Sequence, residues 1–382
     1  MIIHHIRRGG SGSVDHLHAA AQFRPDDRIL SVQEHGSGNV NDTYLVTLDS
    51  GRQGHFILQR INQHVFPRPD LIILNIRTFS EHVRRHLLDE PAGSRRQWEV
   101  PRILPTPDGK DYWTDPSGEC WRAMSFVARS TGHTTIQSID HAREAGYALG
   151  RFHSLICDLP VDRLHDTLVG FHITPRYLRH YDRVLENGVG TSSPEVQHCL
   201  RFVGERRSWV SVLEDARAGG DLLLRPIHGD PKVDNIMIDD MTGQAVSLVD
   251  LDTVKPGLIH YDIGDCLRSC CNPLGEETDR IEEVHFETDL CRAILQGYLS
   301  VANCFLSEHD YAYLYDAIRL ISFELGLRFF TDYLEGNVYF KARYRDHNLW
   351  RALIQFKLTE SIESQEGAIR AIIAELRDEP GL

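Results

Sequence analysis

Ile227-His228-Gly229-Asp230-Pro231-Lys232-Val233-Asp234-Asn235, followed beyond a short apolar run by Val249-Asp250-Leu251-Asp252, decides the reading of this chain. Asp230 and Asn235 stand five residues apart, and Asp250 follows Asn235 by fifteen. That spacing suits phosphoryl transfer. One carboxylate orients an attacking hydroxyl, while an Asn and a second carboxylate hold magnesium on nucleotide phosphates. Asp230 is the expected base, and Lys232 the expected cation beside the transferred phosphoryl oxygens. Asn235 and Asp250 are the expected metal ligands, because oxygen donors suit a hard cation. An isolated His-Gly-Asp is an ordinary turn; the complete set carries the reading. Asp252 either orders the metal loop or touches the metal. His228 shapes the loop, and Asp262 caps a helix or pins the loop by hydrogen bonds.

Composition sets outer bounds. The 382 residues suffice for two lobes, each with its own core. A formal charge of −14 argues against a nucleic-acid polymer or an anionic membrane as partner. Eight cysteines include no CxxC pair, and Cys266, Cys270 and Cys271 fall at helical spacing as core residues. Residues 1–13 read as a loose, basic tail with no apolar segment like that of a signal peptide, so a reducing cytoplasm is the expected location.

The first third alternates strand patterns with turns: Tyr44–Leu48, His55–Ile61 and Trp121–Val127. Between them Ile72, Ile76, Phe79, Val83 and Leu87 form one apolar stripe of a helix over Asp70–Leu88. A second helix is expected from an Asp140 cap through Ile156. Helical patterns return over Arg280–Leu299, Asp310–Tyr333 and Leu349–Arg377. The fold expected is α+β and bilobal. A small β-rich N-lobe spans 1–127, and a larger, mostly helical C-lobe spans 128–382. A cleft between them would hold the nucleotide.

The glycine-containing run His35–Thr43 precedes the first of these strands. Its Gly36, Ser37, Gly38, Asn39, Asn41 and Thr43 are the expected phosphate-side contacts, since glycines let backbone N–H groups approach a phosphate. Protein kinases place a Lys on the next strand, in a V-A-I-K pattern. Here Ile57-Leu58-Gln59-Arg60 puts Gln59 on the face of Ile57 and turns Arg60 away. Glu81 lies opposite the apolar stripe of its helix and suits solvent, so no Lys–Glu pair is expected. Met124, Phe126 and Val127 would wall the adenine.

In these motifs the chain resembles the aminoglycoside phosphotransferase-like kinases, which share the protein-kinase fold and phosphorylate small molecules. Four segments look closer to one branch, the N-acetylhexosamine 1-kinases. They are Gly36–Tyr44 with Ile57–Asn62, Phe171–Arg176, Asp250–Leu258, and Phe323–Phe329 through Tyr339–Lys341. The resemblance implies an ATP- and Mg²⁺-dependent enzyme acting on the anomeric hydroxyl of N-acetylglucosamine or N-acetylgalactosamine. It also implies Asp230, Asn39, Asp252, Arg328 and Tyr339 on the sugar side, and a Gln at the Lys position. Asn39 stands where the branch often has His. From the residues alone, Arg328 either meets a sugar hydroxyl or pairs with Glu324 one helical turn earlier. Tyr339 and Trp350 read as core.

Rival readings are a kinase for another small alcohol, such as another hexose, an aminoglycoside or an amino alcohol, and a non-catalytic nucleotide-binding protein. The acids available for a cationic acceptor, Glu276, Glu277 and Asp279, read as a solvated run. A metal-dependent hydrolase lacks its His/Asp cluster.

Overall fold

The computed structural model describes residues 16–36, 40–49, 54–90, 96–186, 188 and 193–379. The expected tail and three loop contacts, Ser37, Gly38 and Asn39, lie outside them. Contacts divide the chain into one unit of residues 1–77 with 101–126, and a second of 78–100 with 127–382.

The first unit is a six-stranded antiparallel sheet with a short helix, α1 (His16–Ala21), on one face. Its strands are β1 (Ile29–Glu34), β2 (Asp42–Leu48), β3 (His55–Arg60), β4 (Ile103–Leu104), β5 (Trp113–Thr114) and β6 (Cys120–Ser125). They run in the order β1-β2-β3-β6-β4, and β5 also pairs with β6. Alternation sorts the side chains. Tyr44, Val46, Phe56, Leu58, Trp121 and Ala123 pack with Ala19, Ala20 and Phe23 of α1. The other face therefore carries Thr43, Ile57, Gln59, Arg122 and Met124. A longer helix, α2 (Pro69–Asp89), follows β3 and carries the expected stripe. Its second half belongs to the second unit, where Phe79 stacks on Phe152 at 5.0 Å between ring centroids. Glu81 is exposed, on the side opposite that stripe.

The second unit opens with β7 (Ser130–Gly132) and α3 (Ile139–Ile156), and continues through α4 (Thr174–Glu186), α5 (Pro194–Arg206) and α6 (Val212–Gly219). Four short strands come next: β8 (Arg225–Ile227), β9 (Ile236–Asp239), β10 (Ala245–Leu248) and β11 (Lys255–Gly257). They pair as β10-β9-β7 and as β11-β8. Helices α7 (Ile259–Cys270), α8 (Thr288–Ala302), α9 (Glu308–Ala312), α10 (Leu314–Leu334), α11 (His347–Ser364) and α12 (Glu366–Arg377) complete it.

Four sequence expectations need correction. The cap of α3 is Ser138, whose hydroxyl accepts from His141 N at 3.1 Å; Asp140 sits in the first turn instead. The helix expected from Arg280 begins only at Thr288. Phe286 is held outside it, its N–H on Ser361 Oγ and its carbonyl on Gln365 Nε2. The long C-terminal pattern divides at Gln365 into α11 and α12. Trp350 is 40% exposed and not core.

Helices α3 and α8 cross with backbone against backbone. A Cβ on Gly146 would lie 1.8 Å from Ile294 O, and one on Gly297 would lie 1.9 Å from Arg143 O. This seam sets the spacing between His153 on α3 and Tyr298 on α8, whose Nδ1 and hydroxyl meet at 3.0 Å. Gly146→Ala must push the helices apart. It is expected to cost about 3 kcal/mol or more, the upper range of overpacking, read as a shift of the urea midpoint.

Candidate active site

The loop joining β8 to β9 is built around a buried carboxylate. Asp262, in the first turn of α7, accepts from His228 N at 2.7 Å and Gly229 N at 2.8 Å. His153 Nε2 meets the same carboxylate at 2.9 Å. Burial pushes the Asp262 carboxyl up, but these donors outweigh it and hold it below the ordinary range. Gly229 has φ +87°, and a Cβ there would stand 2.7 Å from Thr253 O, so only glycine fits. His228 is buried. Asp230 N donates to its Nδ1 at 3.2 Å, which leaves Nε2–H to donate to Val249 O at 2.9 Å. Burial pushes its pKa down to about 4, so it is a neutral strut between the two expected motifs.

These constraints bring the sequence-predicted catalytic residues together. Asp230 keeps 31% of its side chain exposed. Lys232 Nζ lies 3.3 Å from Asp230 Oδ2. Burial raises the Asp230 carboxyl above its ordinary value although Lys232 opposes it, and the Asp230 charge raises Lys232. Asn235 donates through Nδ2 to Asp230 O at 2.7 Å, which leaves its amide oxygen as the atom for a cation. Asp250 is exposed and sits in left-handed backbone, φ +63°. Asp252 is buried beside it. One amide oxygen and one exposed carboxylate fit magnesium, which takes few protein oxygens and fills its remaining positions with water and phosphate.

Beyond Asp230, the loop before α4 meets α10. His172 has φ +62°; its Nδ1 lies 3.0 Å from Glu324 Oε1 and its Nε2 lies 2.7 Å from Gly229 O. Both partners are acceptors, so both ring nitrogens donate and the buried imidazole is cationic. Burial alone would lower its pKa; the Glu324 charge outweighs that and raises it. Thr174 Oγ1 donates to the other Glu324 oxygen at 2.6 Å.

Glu324 is thus committed to His172 and Thr174, not to Arg328. Arg328 sits among rings, 5.1 Å from the centroid of Phe171, 5.0 Å from Tyr177, 5.9 Å from Tyr339 and 5.3 Å from Phe340. Burial lowers its pKa, but Tyr177, Tyr339, Glu324 and Asp230 outweigh this and raise it. His172 joins Gly229, the residue before Asp230, to Glu324, one helical turn before Arg328, so the guanidinium and the Asp230 loop share one locality. Tyr339 is 51% exposed and not core. Its N–H is held at 2.7 Å by Asp332, which also accepts from Phe340 N and Asn348 Nδ2.

In the first unit, Ile57 faces Met124 across β3 and β6, and Gln59 faces Arg122. Gln59 Nε2 donates to Thr43 Oγ1 at 3.0 Å. Arg122 donates to Gln59 Oε1 from Nε at 3.0 Å and from a terminal nitrogen at 2.7 Å. Arg60 turns away and pairs with Asp42. Asn41 Oδ1 accepts from Asn62 N at 2.9 Å and so secures the end of β3. Gly36 has φ +77°. Phe126 meets the rings of His35 and His55, and Val127 is buried.

Sequence reasoning missed His153, Arg122, Asp332 and the His172–Glu324 pair. Arg122 had a readable signal, an arginine inside the apolar strand Cys120–Ser125. The others act across more than a hundred residues or inside a loop, and leave no local pattern.

The family model described as "Phosphotransferase enzyme family" matches residues 31–298. Among solved structures, the chain is similar to a microcompartment-associated aminopropanol kinase, with TM-score 0.60 and 18% identity over 92% of this chain and 97% of that one. It is also similar to a choline kinase from Cryptosporidium parvum Iowa II (TM-score 0.56, 13% identity, covering 91% and 93%). A third match is the GDP complex of wild-type aminoglycoside 2′-phosphotransferase-IIIa (TM-score 0.54, 15% identity, covering 92% and 98%). At these identities the likeness concerns the fold.

The two buried histidines give opposite pH limbs. His228 has a folded pKa below its unfolded value, so its stability contribution is lost as pH falls below about 6.5. His172 has a raised pKa. Its contribution is complete below about 6.5 and is lost as pH rises through the folded value. Chemical denaturation across pH should therefore show a maximum, and His172→Gln should flatten the alkaline limb while leaving the acid one.

Proposed function

We propose, for a chain that belongs to the phosphotransferase enzyme family, that this small-molecule kinase transfers the γ-phosphoryl group of ATP to the anomeric hydroxyl of an N-acetylhexosamine. The observation that carries the choice of acceptor is Arg328 with its four aromatic neighbours in the locality of Asp230. Amino alcohols and aminoglycosides are cations, and a half-buried guanidinium repels them. A neutral sugar suits it: hydroxyl and acetamido oxygens accept from the guanidinium, and the C–H face packs on Tyr339. The nearby acids do not offset this. Glu276 pairs with Arg268, and Glu277 with Arg343 and Arg351.

The reaction follows from the named residues. Asp230 orients the sugar O1–H and takes its proton as the O1–Pγ bond forms and the bond from Pγ to the ADP oxygen breaks. Little proton transfer is needed early, because the transition state is loose. Lys232, held beside Asp230, faces the developing phosphoryl charge. Asn235 and Asp250 would hold magnesium, which supplies charge neutralisation on the phosphate oxygens. Asp252 belongs to the sugar side of this reading, as does Asn39. The nucleotide contacts are Gly36, Ser37, Gly38, Asn39, Asn41, Thr43, Ile57, Gln59, Met124, Phe126 and Val127. A cytoplasmic setting completes the proposal, and among the described residues no helix is long and apolar enough to cross a membrane.

Phosphorus NMR with Mg-ATP and a panel of acceptors tests it. A sugar 1-phosphate signal from an N-acetylhexosamine is expected, and a phosphomonoester formed only from an amine-bearing acceptor would overturn the sugar assignment. Asp230→Asn should keep its melting temperature and lose at least about 100-fold in kcat. Arg328→Ala should chiefly raise KM for the sugar, by about 10-fold or more, with KM for ATP little changed.

A further inference from the structure

We infer that His82, His86 and Asp158 form a binding site for a zinc-class divalent cation, which fastens the end of α2 to the end of α3. The three residues all belong to the second unit, and the site stands independently of the kinase reading. Two imidazole nitrogens and a carboxylate make a donor set that suits zinc. The proposed magnesium ligands, Asn235 and Asp250, offer only oxygens, so the two sites take different metals.

The site grows out of one face of α2. Phe79, His82 and His86 recur at helical spacing, three and then four residues apart, and so share a side of the helix. Phe79 stacks on Phe152, which turns that side toward α3. Just past the end of α2, Glu90 pairs with Arg151 of α3. The two histidines stand between these fixed points, and Asp158, two residues beyond α3, meets both. His82 Nε2 lies 2.9 Å from Asp158 Oδ1, and His86 Nε2 lies 3.2 Å from Oδ2. The two rings stand 4.7 Å apart. Ligands of a tetrahedral zinc ion, each about 2.0–2.1 Å from the metal, stand about 3.3 Å from one another. One ligand atom from each of the three residues already falls within 4.8 Å of the others. His82 is buried and its ring is held. His86 and Asp158 keep 42% and 57% of their side chains exposed, which gives room to adjust by about 1 Å and leaves a fourth position to water. The bonds that the metal replaces are those between its own ligands. Both helices end at this point, and the partial negative charge of their last carbonyls favours a cation. Only half of the site is local in sequence: Asp158 follows His82 by 76 residues.

Isothermal titration of the metal-free full chain with Zn²⁺ tests this. One tight ion per chain is expected, at micromolar or stronger affinity, undisturbed by millimolar Mg²⁺. Free Zn²⁺ a hundredfold above Kd should raise the melting temperature by about 5 °C. His86→Ala and Asp158→Asn alter the two more exposed ligands. Each should fold, weaken Zn²⁺ by at least about 10-fold and remove most of the thermal shift. Should one of them fail to fold, the other carries the comparison. Cys157→Ser removes the exposed neighbouring thiol and should leave the affinity within about twofold. Co²⁺ used as a probe should give ligand-field bands without a thiolate charge-transfer band. A wild-type chain that binds no Zn²⁺, affinity unchanged in both ligand variants, or affinity that depends on Cys157 would overturn the assignment. None of these outcomes bears on the kinase reading.

Discussion

The Asp262 carboxylate is the interaction on which the second unit depends. It is fully buried, yet it meets two consecutive backbone N–H groups and the His153 ring. A buried charge is tolerated only when hydrogen bonds replace its water, and here they do. What it gains is position. The two N–H groups belong to His228 and Gly229, directly before Asp230, so the Asp230 carboxylate hangs from another carboxylate held in the core. His228 then extends the same constraint to Val249, one residue before Asp250. Asp230 and the segment leading into Asp250 are thereby placed by one continuous set of bonds.

A second constraint sits at the acceptor end. His172 is held as a cation between Glu324 and the carbonyl of Gly229. This connects α10, which carries Arg328, to the loop that carries Asp230. It also consumes the acid that would otherwise neutralise Arg328. The positive charge on which the proposed preference for a neutral acceptor rests is therefore left uncancelled by a histidine several side chains away. The related folds that act on aminopropanol or choline show that the architecture does not decide the acceptor; the residues lining the site do.

Much of this was legible before the structure. The loop motif is local, so that Asp230, Lys232 and Asn235 lie together was readable from spacing. The division into a β-rich and a helical part followed from periodicity, and alternation along β3 turned Gln59 inward and Arg60 outward. What was illegible depends on pairings between distant segments. No spacing announces that residue 153 meets residue 262, or that Glu324 prefers His172 to the arginine one turn away. The Asp140 cap failed for a smaller reason: both Ser138 and Asp140 precede the apolar stripe, and only the hydroxyl three residues before a helical N–H reaches it. The start of α8 failed because Phe286 is fastened from outside to Ser361 of α11 and to Gln365 at its end, a tertiary effect that outweighs local pattern.

The glycine seam has a consequence for the order in which the chain acquires its structure. On the ribosome the loop at 228–235 emerges well before α8, at 288–302. Until α8 docks against α3, His153 has Asp262 but lacks the Tyr298 hydroxyl and the backbone wall that hold its ring in place. Contacts of such large sequence separation close late. The nascent protein therefore carries this loop with Asp262 in place but with the Tyr298 end of its support missing until α8 is made, a stretch in which a chaperone or a slow codon has the most to protect.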